Sequence, residues 1–136
     1  MPTVHASSFA DPADVLAYQK AKARGLSDAD AFKFGDNGLG CWGDFTAQLL
    51  TPMCALPPEV MVAKWRSIKA AKHKRVIVTD AASKKSVVCI LADRMPRLAN
   101  IKNGCGIDLN PAACKALALT PPIKRLVRWE WEVAAC

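Results

Sequence analysis

The chain has 136 residues, 51% of them hydrophobic, and its 19 lysines and arginines against 12 acidic residues give a formal net charge of +7. This length fits one domain with a sizeable core, and the apolar fraction excludes a disordered chain. No apolar run reaches the roughly 18 residues that a membrane span requires. The positive charge favours polyanionic partners such as nucleic acid, an anionic membrane surface or bacterial wall polymers.

The first quarter of the sequence predicts an arm and two short helices. Residues 1–10 have no strong pattern and are interpreted as an extended arm. An Asp-Pro pair is a typical helix start and predicts a helix over about 12–24. A serine cap predicts a second helix over 28–34. We expect residues 1–34 to form an N-terminal extension to a domain covering 35–136.

A glycine-rich loop follows, because four of the seven glycines lie in residues 35–43. Glycine allows close backbone approach, so the stretch predicts a tight, shaped loop. It lacks the spacing of dinucleotide-binding and phosphate-binding loops, and no nucleotide site is expected. Two interpretations stay open: a loop that leads into a barrel strand, or the lining of a ligand site.

A basic run lies in the middle of the chain. Its members are Lys64, Arg66, Lys69, Lys72, Lys74 and Arg75. A groove that follows a phosphate backbone would need interleaved aromatic residues, and only Trp65 qualifies here. We therefore interpret the run as a solvated helix end and loop, and nucleic acid is not the expected partner.

The second half alternates between strand and helix patterns. A short helix is predicted over 56–65, followed by a hairpin of two strands over 76–91. An Asn-Pro pair predicts a helix over 112–119. The last strand, 125–133, alternates charged and bulky residues. Its predicted buried face comprises Val127, Trp129, Trp131 and Val133, and its exposed face Arg128, Glu130 and Glu132.

The six cysteines form no C-x-x-C motif, and both histidines lie far from any cysteine pair. Zinc sites and thioredoxin-like chemistry lack their usual spacing, so we expect no metal and no cofactor. No signal-peptide pattern is visible, which favours cytoplasmic synthesis with free, mostly buried thiols over a disulfide framework. Release by lysis, for example as a phage virion component, would allow such a chain to act outside the cytoplasm.

Three stretches occur in a recognisable order. Residues 87–96 form a strand pattern that ends in Asp-Arg-Met-Pro, 106–117 contain Ile-Asp-Leu-Asn before a helix pattern, and 127–133 form a closing strand. This order resembles the double-psi β-barrel superfamily, in particular its rare-lipoprotein-A-like and expansin-like branches, with their D-x-x-P turn and I-D-L-S strand end. Residues 40–43 and 54–57 are similar to the glycine–cysteine loop and A-L element of expansins.

The resemblance implies a mainly β fold, a six-stranded double-psi β-barrel with short helices, an α-helical N-terminal extension and an open groove. Relatives bind or cleave polysaccharides, including peptidoglycan glycan strands. In the lytic transglycosylase branches the Asp of the D-x-x-P turn is the general acid, which implies Asp93 here. The Asp of the I-D-L-S element is a second acid near the groove and corresponds to Asp108.

The chemistry of glycosidic cleavage sets an independent requirement. An acid that protonates the leaving oxygen must carry a proton near neutral pH, so burial or a neighbouring carboxylate must raise its pKa. Asp93 and Asp108 are candidates for such a pair, whereas the adjacent Arg94 would oppose the effect if it turned inward. Each aspartate has an alternative role in ordering its turn.

Substrate contacts are predicted around the glycine loop. Trp42 lies in that loop and could stack its ring on a sugar face, and Asp36 and Asp44 flank the loop and could provide polar contacts. We include Arg94 among the substrate-binding residues. Trp65, Trp129 and Trp131 are interpreted as core residues.

The chain departs from the rare-lipoprotein-A branch at one place. That branch has an A-H-x-x-L-P segment before its hairpin, with a histidine that serves the site, and the comparable residues 53–57 contain no histidine. Three functions therefore stay open. The chain could be a peptidoglycan-cleaving enzyme, a non-catalytic glycan-binding module, or a structural adaptor in an assembly such as a phage tail. In the adaptor, the N-terminal arm and helices would contact protein partners.

Overall fold

Residues 3–133, which the computed structural model describes, form a closed β-barrel of six strands with five short α-helices. The strands are β1 (Thr3–Ser8), β2 (Met53–Leu56), β3 (Arg75–Asp80), β4 (Ser86–Arg94), β5 (Cys105–Leu109) and β6 (Lys124–Trp131). The helices are α1 (Pro12–Ala23), α2 (Asp28–Ala31), α3 (Pro58–Trp65), α4 (Ile68–Ala71) and α5 (Pro111–Ala116). The strand order is β1-β5-β2-β4-β3-β6, and β6 closes the ring against β1. The expected six-stranded, mainly β barrel is confirmed.

The barrel is a mixed sheet. β1 pairs in parallel with β5, and β2 pairs in parallel with β4. The other neighbouring strands are antiparallel, including the predicted β3–β4 hairpin. The hairpin turn is fixed by the buried Asp80, whose carboxylate accepts the backbone N–H of Ser83 at 3.0 Å. The same carboxylate bonds the guanidinium of Arg125 on β6 at 2.8 Å, so the turn is also tied to the closing strand.

The predicted division at residue 35 does not match the barrel, whose first strand is Thr3–Ser8. Thr3–Ser8 is not an arm outside the barrel but its first strand, which lies between β5 and β6. Only Ala6 of this strand is fully buried, and its neighbours are mostly small polar residues. Such a segment shows no hydrophobic alternation, and its pairing with distant strands stabilises it instead. Helices α1 and α2 therefore connect two parts of the barrel.

Capping residues place the helices. The Asp11 side chain accepts the backbone N–H of Asp14 at 2.9 Å and begins α1, as predicted. The Asn110 side chain accepts the backbone N–H of Ala113 at 3.0 Å and begins α5. Helices α2 and α5 are shorter than predicted, since they end at Ala31 and Ala116.

The core lies inside the barrel, where alternation predicts it. The predicted inward-facing positions of the hairpin that are fully buried are Val76, Val78, Cys89 and Leu91. On β6, Val127 and Trp129 are buried and Trp131 packs against the same core. Val133, which alternation places on the same face, is 88% exposed because β6 ends at Trp131.

The cysteines between residues 3 and 133 are free thiols. Four of them are buried (Cys54, Cys89, Cys105 and Cys114) and Cys41 is exposed, as expected of a chain without a disulfide framework. Burial raises the pKa of the Cys114 thiol to about 12 and that of Cys54 well above its usual range, so neither is a reactive thiolate. Cys136 lies outside the described residues. Within those residues, no helix combines the length and hydropathy needed to cross a membrane.

Candidate functional site

Asp93 lies near the end of β4, where the glycine loop packs on the strand. Its Oδ1 accepts the backbone N–H of Cys41 at 2.9 Å and that of Arg94 at 2.7 Å. The loop approaches this closely because Gly40 has no side chain: a Cβ at that position would lie 1.9 Å from the carbonyl oxygen of Ala92. The glycine loop therefore packs on β4 and borders the candidate acid Asp93.

Asp108 reaches the same region from β5. Ala55 of β2 pairs with Asp93 on one side and with Asp108 on the other. Paired residues of neighbouring strands point to the same face, and two strand spacings amount to about 10 Å between the backbones of the two acids. Ser7 of β1 pairs with Asp108 in turn, and its hydroxyl donates a hydrogen bond to Asp108 Oδ1. A row across four strands thus brings the acids together.

The acids line an open cleft of about 440 Å³. Its acidic lining comprises Asp14, Asp36, Asp93 and Asp108, and its basic lining comprises Arg94 and Lys33. Asp36 belongs to the glycine loop and accepts the backbone N–H of Gly38 at 2.6 Å. The rest of the wall is apolar and includes Phe9 and Met95.

The carboxyl groups of this cleft hold their protons more tightly than ordinary aspartates. Burial raises the pKa of Asp108 to about 6, with a further rise from the charges of Asp93 and Asp14 and an opposing effect of the Ser7 hydroxyl. Burial also raises the pKa of Asp36 to about 6, helped by Asp93, Asp14 and Asp108. Burial raises the pKa of Asp93, although two backbone N–H groups and the charge of Arg94 act against it.

Such groups are suited to proton transfer. A carboxyl group with a pKa near 6 exists in both protonation states close to neutral pH, as general acid–base catalysis requires. Mutual repulsion keeps part of the cluster protonated, because several carboxylates in one partly buried cleft cannot all ionise cheaply.

Within residues 3–133 no group of three or more His, Cys, Asp or Glu side chains has the arrangement to hold a metal ion.

Four of the six predicted site residues line the cleft: Asp36, Asp93, Arg94 and Asp108. Asp44 and Trp42 do not. Asp44 lines a different cleft of about 540 Å³ and bonds His73 Nε2 at 2.8 Å. Trp42 packs against the barrel core, with its ring edge-on to His73 at 6.3 Å. Asp36 and Asp44, which flank the glycine loop, thus line two different clefts, and the predicted substrate contacts around the loop do not form one site.

The basic run occupies the end of α3, α4 and the start of β3. The ammonium groups of Lys74 and Lys64 lie over the Trp65 ring, at 4.5 Å and 5.6 Å from its centre. Trp131 packs edge-on against the same ring at 5.6 Å. This indole is therefore not free to stack on a base or a sugar, and the run keeps its interpretation as a solvated basic surface.

Sequence reasoning missed two members of the site. The sequence pattern places Asp14 only in the first turn of α1, where its Oδ2 also accepts the backbone N–H of Ala10 at 3.0 Å. Ser7 lies in a strand that shows no alternation and gave no signal. Asp14 lines the cleft directly. Ser7 acts on it through its hydrogen bond to Asp108, which the pairing of β1 with β5 makes possible between segments about a hundred residues apart.

The shifted pKa values of Asp36, Asp108 and Asp80 predict that the free energy of unfolding is greatest near pH 4. Asp36 and Asp108, with folded pKa values of about 6, bind protons in the folded protein that the unfolded chain has already released. Their contribution is present below about pH 4 and is lost as the pH rises through 6. Arg125 lowers the pKa of Asp80 to about 2, so the stabilisation from Asp80 is lost as the pH falls from about 4 to 2.

Urea unfolding between pH 2 and 8 measures this profile. In the wild type the free energy of unfolding should fall as the pH rises from 4 to 6, and Asp108→Asn should make this fall smaller by an amount on the order of 2 kcal/mol. Asp80→Asn is the matched control: it should lower the free energy of unfolding by a constant amount above pH 4 and change the slope of the profile only below pH 4. A variant curve for Asp108→Asn that runs parallel to the wild-type curve from pH 4 to 6 would contradict the assignment.

The sequence matches no protein-family model and is not significantly similar to any curated protein.

Proposed function

We propose that this chain is a double-psi β-barrel protein that cleaves peptidoglycan glycan strands in the manner of a lytic transglycosylase. The observation that carries the proposal is the open cleft in which Asp93, Asp108 and Asp36 meet with raised pKa values. A glycosidase-like reaction needs a protonated carboxyl group beside further carboxylates in a groove that is open to a polymer.

The barrel supports this assignment. Its two parallel pairs, β1 with β5 and β2 with β4, lie on either side of the antiparallel β2–β5 pair. Parallel pairs require crossover connections, and two such pairs around one antiparallel pair are compatible with the proposed double-psi barrel. Asp93 and Asp108 lie on the two strands that flank β2, which is compatible with the positions that the resemblance implies.

In the proposed reaction Asp93 transfers its proton to the glycosidic oxygen while the bond to the sugar breaks. Because Oδ1 is held by the two backbone N–H groups, Oδ2 is the oxygen that carries the proton. The negative charges of Asp36 and Asp108 stabilise the positive charge that develops on the sugar. A hydroxyl of the same sugar then attacks the anomeric carbon and returns a proton to Asp93, so one carboxyl group serves both transfers.

Digestion of purified peptidoglycan in H₂¹⁸O tests the proposal. Soluble saccharides without ¹⁸O are expected, because the attacking hydroxyl belongs to the substrate. Saccharides that carry ¹⁸O would identify a hydrolase instead. Binding to insoluble peptidoglycan without release of product would favour the non-catalytic glycan-binding module.

One observation favours the second candidate, a structural adaptor in a larger assembly such as a phage virion. Large apolar side chains are exposed around α1 and the loop before β2, among them Phe45, Leu49 and Leu50 at 60%, 58% and 93%. Phe45 and Leu49 line a largely apolar groove of about 620 Å³ beside α1. Exposed apolar patches commonly mark protein interfaces. The adaptor is supported if the intact chain binds a larger assembly, Phe45→Asp abolishes that binding and Asp93→Asn does not.

A further inference from the structure

Residues 94–97, at the end of β4 and just beyond it, form a wall whose central residues line three adjoining clefts. Met95 and Pro96 line the acidic cleft. They also line a cleft of about 370 Å³ beside α3 and α4, and another of about 400 Å³ beside residues 100–103. A polymer in the acidic cleft therefore has two adjoining concave surfaces that could take its neighbouring units.

This wall is fixed to the barrel. The backbone N–H of Met95 donates to the carbonyl oxygen of Leu56 at 3.0 Å, and the Met95 side chain is only 4% exposed. At the other end, the backbone N–H of Leu98 donates to both carboxylate oxygens of Glu59 on α3, each at 3.2 Å. The side chains between these two anchors therefore project from a held backbone.

The two flanking clefts differ in charge. The cleft beside α3 and α4 is lined by two arginines, Arg94 and Arg97, together with apolar residues that include Pro58 and Ile68. Among residues 3–133 neither arginine lies within ion-pair distance of a carboxylate. The polar lining of the other cleft consists of hydroxyl and amide side chains, with Lys102 as its basic residue and Asp108 as its acidic residue.

Neutralising the aspartates of the acidic cleft is a role that Arg94 could have but Arg97 could not. Arg94 lines that cleft and its charge lowers the pKa of Asp93. Arg97 does not line it, and the one nearby acid on α3, Glu59, is occupied by the Leu98 backbone. A guanidinium group matches the two oxygens of a carboxylate with paired N–H donors.

We infer that the cleft of Arg94 and Arg97 binds a carboxylate on the substrate, on the unit next to the one held in the acidic cleft. This inference rests on the proposed function, and it specifies an acidic glycan as the substrate class. A carboxylate cannot lie in the central cleft itself, because four aspartates repel it there. The apolar lining beside the arginines accommodates the carbon atoms that carry the charged group.

Binding of a defined pair of ligands tests the inference. The ligands are a glycan-strand oligosaccharide with free carboxylates and the same oligosaccharide with those groups converted to methylamides. In an Asp93→Asn background, which prevents turnover, Arg97→Gln should weaken binding of the carboxylate form by about tenfold and leave the amide form unchanged. Arg97→Lys should restore only part of the loss, because an ammonium cannot form the paired contact.

Arg128→Gln is the matched control, since Arg128 is an exposed arginine on β6 that lines none of these clefts, and it should change neither affinity. Equal weakening of both ligands by Arg97→Gln, or no weakening, would overturn the carboxylate subsite. If the wild-type chain prefers the carboxylate ligand but does not cleave peptidoglycan, the proposed reaction is refuted and the subsite stands. If it cleaves peptidoglycan but binds the two ligands equally, the subsite is refuted and the reaction stands. If it binds neither ligand, both the reaction and the subsite are overturned.

Discussion

Replacement of Asp93 by asparagine should lower the rate of glycan release at least 100-fold, because a positioned general acid typically contributes about 10² to 10⁴ to the rate. The amide has no proton of comparable acidity to give to the glycosidic oxygen. Its oxygen can still accept the backbone N–H groups of Cys41 and Arg94, so the loop should stay in place. Initial rates of saccharide release from peptidoglycan measure the effect.

Glu130→Gln provides the control for removal of a carboxylate, because Glu130 is exposed on β6 and lines none of the clefts around residues 94–97. It should leave the rate of release unchanged. The urea midpoint of Asp93→Asn should lie close to that of the wild type, which separates loss of chemistry from loss of fold. If the purified variant were to turn over peptidoglycan as fast as the wild type, Asp93 would have no part in the mechanism.

Hydrophobic alternation and helix-capping residues were sufficient to predict the elements that are stabilised by residues close in the sequence. The β3–β4 hairpin alternates between buried and exposed positions, and α1 and α5 begin at side-chain caps that the sequence displays. β1 and β2 gave no such signal. All four residues of β2 are buried because Cys54 and Leu56 pack into the barrel core and Ala55 packs into a second apolar cluster on the other face, and β1 is largely polar. These strands depend on pairing with distant segments, which periodicity does not report.

The site was predictable to the same degree. Asp93 and Asp108 follow from the resemblance, and the structure places them in one cleft through their common neighbour Ala55. Asp36 follows from its position in the glycine loop. Asp44 lies only eight residues further on, and yet it belongs to another cleft because it pairs with His73 across the fold. Distance along the loop thus does not indicate which side of it a residue serves.

Replacement of Gly40 by alanine should lower the free energy of unfolding by about 3 kcal/mol, at the upper end of what an added methyl group costs in a packed site. The new Cβ would lie 1.9 Å from the Ala92 carbonyl oxygen, and this oxygen belongs to the backbone of β4 and cannot turn aside. Either the loop or the strand must therefore move. Urea unfolding measures the loss, and the rate of glycan release should fall with it because Asp93 loses the N–H of Cys41.

Gly43→Ala separates close contact from backbone conformation as the cause. Gly43 has φ +91°, and a Cβ at this position would meet no heavy atom within 4 Å, so alanine there should cost only about 1 kcal/mol for its backbone conformation. Equal losses in the two variants would mean that the loop is held by its turns alone and not by its contact with β4. A much larger loss for Gly40→Ala would mean that the loop and the acid form one unit. The glycine at position 40 would then matter for proton transfer through the position of the Asp93 carboxyl group.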